Sequence, residues 1–299
     1  MKNYYLFIIF LFSFCFNQTD INTPWGNCLL INNGLSFDNE KMETIILKKI
    51  NNMNQKFGEI PFKNNFTIII DNGGYQTKNV HWKWSLGITF KYPEKIIIKD
   101  PAFSHTTQKR FETVLEHELN HLLVNRIDVN HTIPRWFKEG FAMFHSNEIS
   151  LNHKLEIARN LNNQNMFNLD AVKTFRGFSK KRFDLAYAQS AIYVLLFNDI
   201  YGEKVLDNIL FEIKNGLSFE DAFYASTSQS INEFEELLYP MLKQKYWWFN
   251  LISLPNQLFA FFPLLLIIAF IIRSNNNKKI EEKWKLEEEL ENLEEEIND

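Results

Sequence analysis

The sequence predicts an α+β protein in which a small N-terminal sheet is followed by helices. Short runs rich in β-branched residues lie before residue 100, at Phe66–Asp71, Leu86–Phe90 and Lys95–Lys99. Beyond them, apolar residues recur mostly at helical spacing. A third observation, the apolar stretch Leu251–Ile272, adds a C-terminal transmembrane helix to the predicted fold.

The start of the chain has the pattern of a signal peptide. Lys2 precedes the apolar run Leu6–Phe16, and polar residues follow it. We therefore expect residues 1–19 to be a signal peptide, with an uncleaved anchor or a lipidated Cys15 as the alternatives. Because Cys15 and Cys28 are the only cysteines, the fold is not expected to depend on disulfide bonds, and cysteine-ligated zinc is excluded.

Residues 20–245 are predicted to form one folded domain. Its polar, asparagine-rich beginning contains one predicted helix, Asn39–Phe57, whose isoleucines recur on one side. The three strands follow, and the remainder is helical. The predicted helices of this second part are Leu151–Leu161, Phe183–Tyr201, Gly202–Asn215, Ser218–Ala225 and Ile231–Gln244.

The sequence HELNH, His117–His121, carries the predicted metal site. Its apolar neighbours recur at helical spacing, and Thr107 is among the hydroxyl residues that can cap the helix. In a helix, His117 and His121 lie one turn apart on the same face, so their imidazoles can bind one zinc ion. Glu118 is offset by one position, which places its carboxylate beside the metal as a general base for a water molecule.

Glu139 is the predicted third ligand. It stands eighteen positions past His121, early in a second predicted helix that opens with Pro134. Gly140 and Ala142 are small, so this helix is expected to approach the HELNH helix closely. Two histidines and a glutamate form a known catalytic zinc set that leaves one position open.

HELNH followed by PRWFKEGFA resembles the gluzincin metallopeptidases, specifically the peptidase-MA-like family. Weaker similarity continues in the sequences AYAQS at Ala186–Ser190 and GLSFEDAF at Gly216–Phe223, and the resemblance covers roughly Phe66 to Leu242. It implies a zincin-like fold, a Zn²⁺ cofactor and hydrolysis of peptide or protein substrates. It also implies that the strand nearest the cleft binds the substrate in extended form.

The resemblance places Tyr187 against the cleft, where its hydroxyl can stabilise a developing oxyanion. The alternative is that Tyr187 packs in the core. One departure from the family pattern is Met143, which stands four residues beyond Glu139 where an acid is expected to orient a ligand. The remaining histidines match no ligand spacing.

The predicted function is therefore that of a membrane-anchored zinc metallopeptidase with Glu118 as general base. The alternative is a catalytically inactive, zincin-like scaffold or binding protein at the membrane, which the missing acid at Met143 favours and the intact Glu118 opposes. A purely structural zinc ion is disfavoured, because structural sites are closed by four protein ligands. No basic cluster or aromatic platform indicates nucleic-acid binding.

The C-terminal region sets the predicted localisation. Leu251–Ile272 is long enough to span a bilayer, and the basic residues Arg273, Lys278 and Lys279 mark the following side as cytoplasmic. This predicts a single-pass membrane protein with an extracytoplasmic catalytic domain and a charged cytoplasmic tail at 273–299. Leucines in the tail recur at a spacing that allows weak helix pairing, with a solvated charged helix as the alternative.

Overall fold

The computed structural model describes residues 18–75, 85–162, 165–247 and 261–298, with side chains to residue 285. The chain divides into two compact units, Met1–Tyr246 and Trp247–Asp299. The first unit has a mixed α/β fold, a small sheet with helices. The predicted boundary at residue 19 falls inside its first strand, Gln18–Thr23, and most of the predicted signal peptide lies outside the described residues.

The sheet has five strands in the order β1-β2-β3-β5-β4. β2 pairs parallel with β3, and β3 pairs parallel with β5, whereas β1 and β4 are antiparallel to their neighbours at the two ends. The strands are β1 Gln18–Thr23, β2 Gly26–Asn32, β3 Phe66–Asp71, β4 Gly87–Phe90 and β5 Lys95–Lys99.

The sequence predicted β3, β4 and β5 but missed β1 and β2. The parallel pair β2 and β3 is joined through the helix Asn39–Phe57, which makes the N-terminal half a βαβ arrangement rather than a sheet followed by helices. The polar composition of β1 and β2 hid them, because only alternate residues such as Ile21, Cys28 and Leu30 are fully buried.

Ten helices are described. They are α1 Asn39–Phe57, α2 Pro101–Ser104, α3 Gln108–Ile127, α4 Arg135–His145, α5 Leu151–Asn162, α6 Lys180–Tyr201, α7 Glu203–Lys214, α8 Phe219–Thr227, α9 Ile231–Tyr246 and α10 Phe261–Asn298. The helices predicted within residues 20–245 agree with these bounds to within three residues at each end. Helices α4 and α6 pack on each other around an aromatic core in which Trp136 lies near Tyr193, Phe219 and Phe234.

The C-terminal end of α3 is fixed to the sheet by Arg126. This buried side chain pairs with Glu94 at 2.6 Å and donates to the carbonyl oxygens of Trp25 at 2.7 Å and Asn64 at 2.9 Å. Charge-assisted hydrogen bonds of this kind are among the stronger polar contacts in proteins. The helix that carries HELNH is thereby held in a defined position against the strand ends.

The predicted transmembrane helix and the predicted membrane localisation are wrong. Across the four described ranges, none of the helices is both long and apolar enough to cross a membrane. The apolar part of α10, Phe261–Ile272, is only about 18 Å long at the α-helical rise, and the same helix continues into the charged tail. The first part of the predicted span, 251–260, and the tail leucine side chains lie outside the described residues.

Candidate active site

The helix α3 presents both histidines of HELNH towards one site. Thr107 caps its first turn, accepting a hydrogen bond from the backbone N–H of Arg110 at 3.2 Å. Leu115, Leu119 and Leu122 bury the opposite side in the core. His117 and His121 then lie one turn apart, with their Nε2 atoms 3.1 Å from each other.

The helix α4 brings Glu139 to the same point. Glu139 Oε2 lies 3.2 Å from His121 Nε2 and 3.8 Å from His117 Nε2, and the candidate ligand atoms all lie within 4.8 Å of one another. Ligands at about 2.0–2.1 Å in a tetrahedron around zinc are separated by about 3.3 Å. The donor set and its spacing therefore fit a zinc ion, with His117, His121 and Glu139 as the predicted ligands.

Gly140, next to Glu139, allows α4 to pack closely against another helix, but that helix is not the one predicted for this position. A Cβ atom at this position would overlap the backbone oxygen of Ser190 in α6. At Gly140 the close approach is therefore made to α6, while α4 also packs against the HELNH helix.

Glu148 is a site residue that the sequence analysis missed. Its Oε2 lies 2.9 Å from His117 Nδ1, and its Oε1 pairs with Arg110 at 2.5 Å. Burial opposes ionisation of Glu148, but His117 and Arg110 lower its pKa to about 2. The acid that orients His117 is therefore Glu148, nine residues past Glu139 and just beyond the end of α4. Met143, at the position where the acid was expected, is a fully buried core residue. The periodicity of α4 could not reveal it, because Glu148 lies outside the helix.

The electrostatics of the cluster follow from buried carboxylates around two imidazoles. Burial disfavours protonation of His117, but contact with Glu148 and the nearby Glu118 and Glu139 raise its pKa to about 9. Burial also disfavours ionisation of Glu139, yet His121 and Arg135 outweigh it and lower the pKa of this carboxyl group. Arg135 donates from Nε to Glu139 Oε1 at 3.1 Å.

Glu118 lies against strand β4. Thr89 donates from Oγ1 to Glu118 Oε2 at 2.6 Å. Two residues earlier on the same strand, Gly87 leaves room for the carboxylate, since a Cβ there would come within 2.7 Å of Glu118 Oε1. Burial raises the pKa of Glu118, while His117 and His121 act in the opposite direction. The result is a buried carboxylate with one fixed oxygen beside the ligand cluster.

Tyr187 in α6 reaches the same cluster. Its hydroxyl lies 2.9 Å from His117 Nε2, and its ring stacks on Phe183 at 5.8 Å. Burial and the carboxylates of the site raise the pKa of Tyr187 well above its ordinary value, so the hydroxyl stays protonated. The structure therefore brings all five predicted site residues together.

The remaining described histidines lie apart from the three candidate ligands. His145 pairs with Asp207 at 3.2 Å, and His153 accepts a hydrogen bond from the backbone of Ser150. His81 lies outside the described residues.

The site contains two histidines one turn apart, a glutamate from the next helix and a second glutamate beside them. This arrangement defines an HExxH-type metal site. The sequence model of a protein family, the peptidase MA superfamily, matches residues 55–243 of the chain. Since this match covers more than half of the chain, the protein belongs to the peptidase MA superfamily. No curated protein matches the chain.

Proposed function

We propose that the protein is a zinc-dependent metallopeptidase that hydrolyses peptide bonds. The observation that carries the proposal is the cluster of His117, His121 and Glu139 donor atoms directly beside the buried carboxylate of Glu118. Family membership supports peptidase activity, and the two-histidine, one-glutamate donor set favours zinc.

In this proposal, each side chain has one task. His117, His121 and Glu139 hold the metal, which when bound supplies a Lewis acid that lowers the pKa of water and polarises the substrate carbonyl. Glu118 accepts the proton of the attacking water and later returns it to the leaving amine. Tyr187 donates a hydrogen bond to the carbonyl oxygen as negative charge develops there.

The substrate is proposed to lie along β4. This strand is at one end of the sheet, so only β5 pairs with it among the described strands. Its other edge offers backbone N–H and C=O groups to an extended peptide, next to the Glu118 carboxylate that Thr89 holds. A peptide or protein substrate is thereby brought to the catalytic glutamate by strand addition.

One observation on the sequence favoured the alternative of a catalytically inactive scaffold, and the structure removes it. That observation was the missing acid four residues past Glu139. Glu148 now supplies a carboxylate to His117 at 2.9 Å. A scaffold also gives no reason for the room that Gly87 leaves around Glu118.

The proposal is tested with Glu118→Gln, which preserves the shape of the side chain but cannot accept a proton. We expect this variant to keep its zinc and to lose hydrolysis of a peptide library by about 10²–10⁴-fold. Glu116→Gln is a matched control, because Glu116 lies on the same helix and pairs with Lys49 at 2.5 Å. Equal cleavage by wild type and Glu118→Gln, measured by mass spectrometry at equal zinc content, would refute the mechanism.

A further inference from the structure

The guanidinium group of Arg135 lies directly beside the candidate metal ligands, and only part of its hydrogen-bonding capacity is used by the described residues. Arg135 donates only its Nε–H to Glu139 Oε1, at 3.1 Å. For its two Nη groups, the described part of the chain provides no hydrogen-bond partner, and the side chain is 44% exposed. A guanidinium carries five N–H donors, so the contact with Glu139 leaves four of them without a hydrogen-bond partner among the described residues.

The guanidinium is held in place before any ligand arrives. It lies 4.9 Å from the ring centre of Phe175 and 5.8 Å from that of Phe183. Phe183 in turn stacks on Tyr187, whose hydroxyl contacts His117. Arg135, Phe183 and Tyr187 thus form one continuous row along the site. A group fixed in this way loses little conformational entropy when it binds a partner.

The geometry points to Arg135 as the binding site for a carboxylate of the substrate, an inference that rests on the proposed peptidase function. A planar guanidinium with free Nη groups matches a carboxylate in a bidentate arrangement. In a peptide, this group is either the C-terminal carboxylate or the side chain of Asp or Glu.

The position of Arg135 limits where that carboxylate lies in the substrate. The two oxygens of Glu139 link Arg135 on one side to His121 on the other, at 3.1 Å and 3.2 Å. Because one extended residue spans about 3.3–3.6 Å, the carboxylate belongs to a residue within about two positions of the cleaved bond. Arg135 therefore selects substrates by a negative charge close to the scissile peptide.

The test uses matched peptide pairs with the zinc-loaded full chain. One set compares each peptide with a free C-terminus against its C-terminal amide. The other compares Glu with Gln at each position near the cleaved bond, with the terminus amidated. We expect wild type to prefer one carboxylate set by about tenfold or more in kcat/KM, as a charge-assisted hydrogen bond requires. The set that shows the preference identifies which carboxylate Arg135 binds.

Arg135→Gln should reduce this preference to near unity, and Arg135→Lys should retain part of it. Arg182→Gln is the control, since Arg182 is also stacked between two phenylalanines, at 5.2 Å from Phe167 and 4.6 Å from Phe178. Among the described residues Arg182 makes no hydrogen bond or ion pair with Glu139, so its loss should leave the preference unchanged. Zinc content is measured for every variant, because Arg135 also supports Glu139.

Two results would overturn the inference. In the first, Arg135→Gln lowers kcat/KM equally for charged and uncharged peptides, which would mean that Arg135 only supports Glu139. In the second, wild type shows no preference in either set. If wild type cleaves no peptide, the proposed function fails separately. The carboxylate site is then tested by fluorescence anisotropy, in which equal binding of labelled acid and amide peptides would refute it.

Discussion

Replacing Glu148 by glutamine tests how the metal site is built. Zinc binding through His117 Nε2 would require the proton of the imidazole to stay on Nδ1, and this atom lies 2.9 Å from the carboxylate oxygen Oε2 of Glu148. A glutamine can present its amide oxygen but carries no charge. Loss of such an orienting partner commonly weakens metal binding by about 10–100-fold.

The size of the effect depends on pH in a direction that the structure fixes. In the metal-free protein the pKa of His117 is raised to about 9, so the ring is protonated below that pH and must lose its proton to bind zinc. At pH 7 this competition reduces wild-type zinc affinity about a hundredfold. Glu148→Gln removes the contact that raises this pKa, so the variant suffers less competition.

We therefore expect Glu148→Gln to bind zinc about 10–100-fold more weakly than wild type at pH 9, and the difference to shrink at pH 7. Zinc affinity is measured by competition with a chromophoric chelator at both pH values. Glu112→Gln is the control, because Glu112 lies on the same helix and accepts a hydrogen bond from the side chain of Gln108. Equal affinities at pH 9, or a difference that grows as the pH falls, would refute the reasoning.

Two further substitutions test the surroundings of the site. Thr89→Val removes the hydroxyl that donates to Glu118 at 2.6 Å, so we expect unchanged zinc content and a fall in kcat of roughly tenfold in peptide hydrolysis. An unaltered kcat would show that Glu118 needs no such partner. Gly140→Ala adds a methyl group against the Ser190 carbonyl and should lower the free energy of unfolding by about 3 kcal/mol in urea titrations. Gly74→Ala, with its nearest contact at 3.5 Å, should change it little, and equal stability of the two variants would contradict the packing described for α4 and α6.

Residues within one helix were predictable, because helical periodicity alone fixes their relation. His117 and His121 lie one turn apart in any α-helix, and Glu118 must then stand beside them. Glu139, on another helix, was predicted from its position early in a helix that opens at Pro134, beside the small residues Gly140 and Ala142. The β-branched runs likewise predicted strands β3 and β5 with their observed bounds.

The tertiary structure alone decided which distant residues complete the site. Glu148 and Thr89 reach the cluster through the packing of a loop and a strand, and no local spacing encodes these contacts. Arg135, in contrast, contacts Glu139 through the i, i+4 spacing of one helix. The prediction of a membrane-spanning helix from hydropathy was also wrong, because the described apolar part, Phe261–Ile272, is too short to span a bilayer and its helix continues into charged residues. The sequence by itself determined the HExxH pattern and most helices, whereas the docking of α4, α6 and β4 against α3 decided the partners of each candidate ligand and of Glu118.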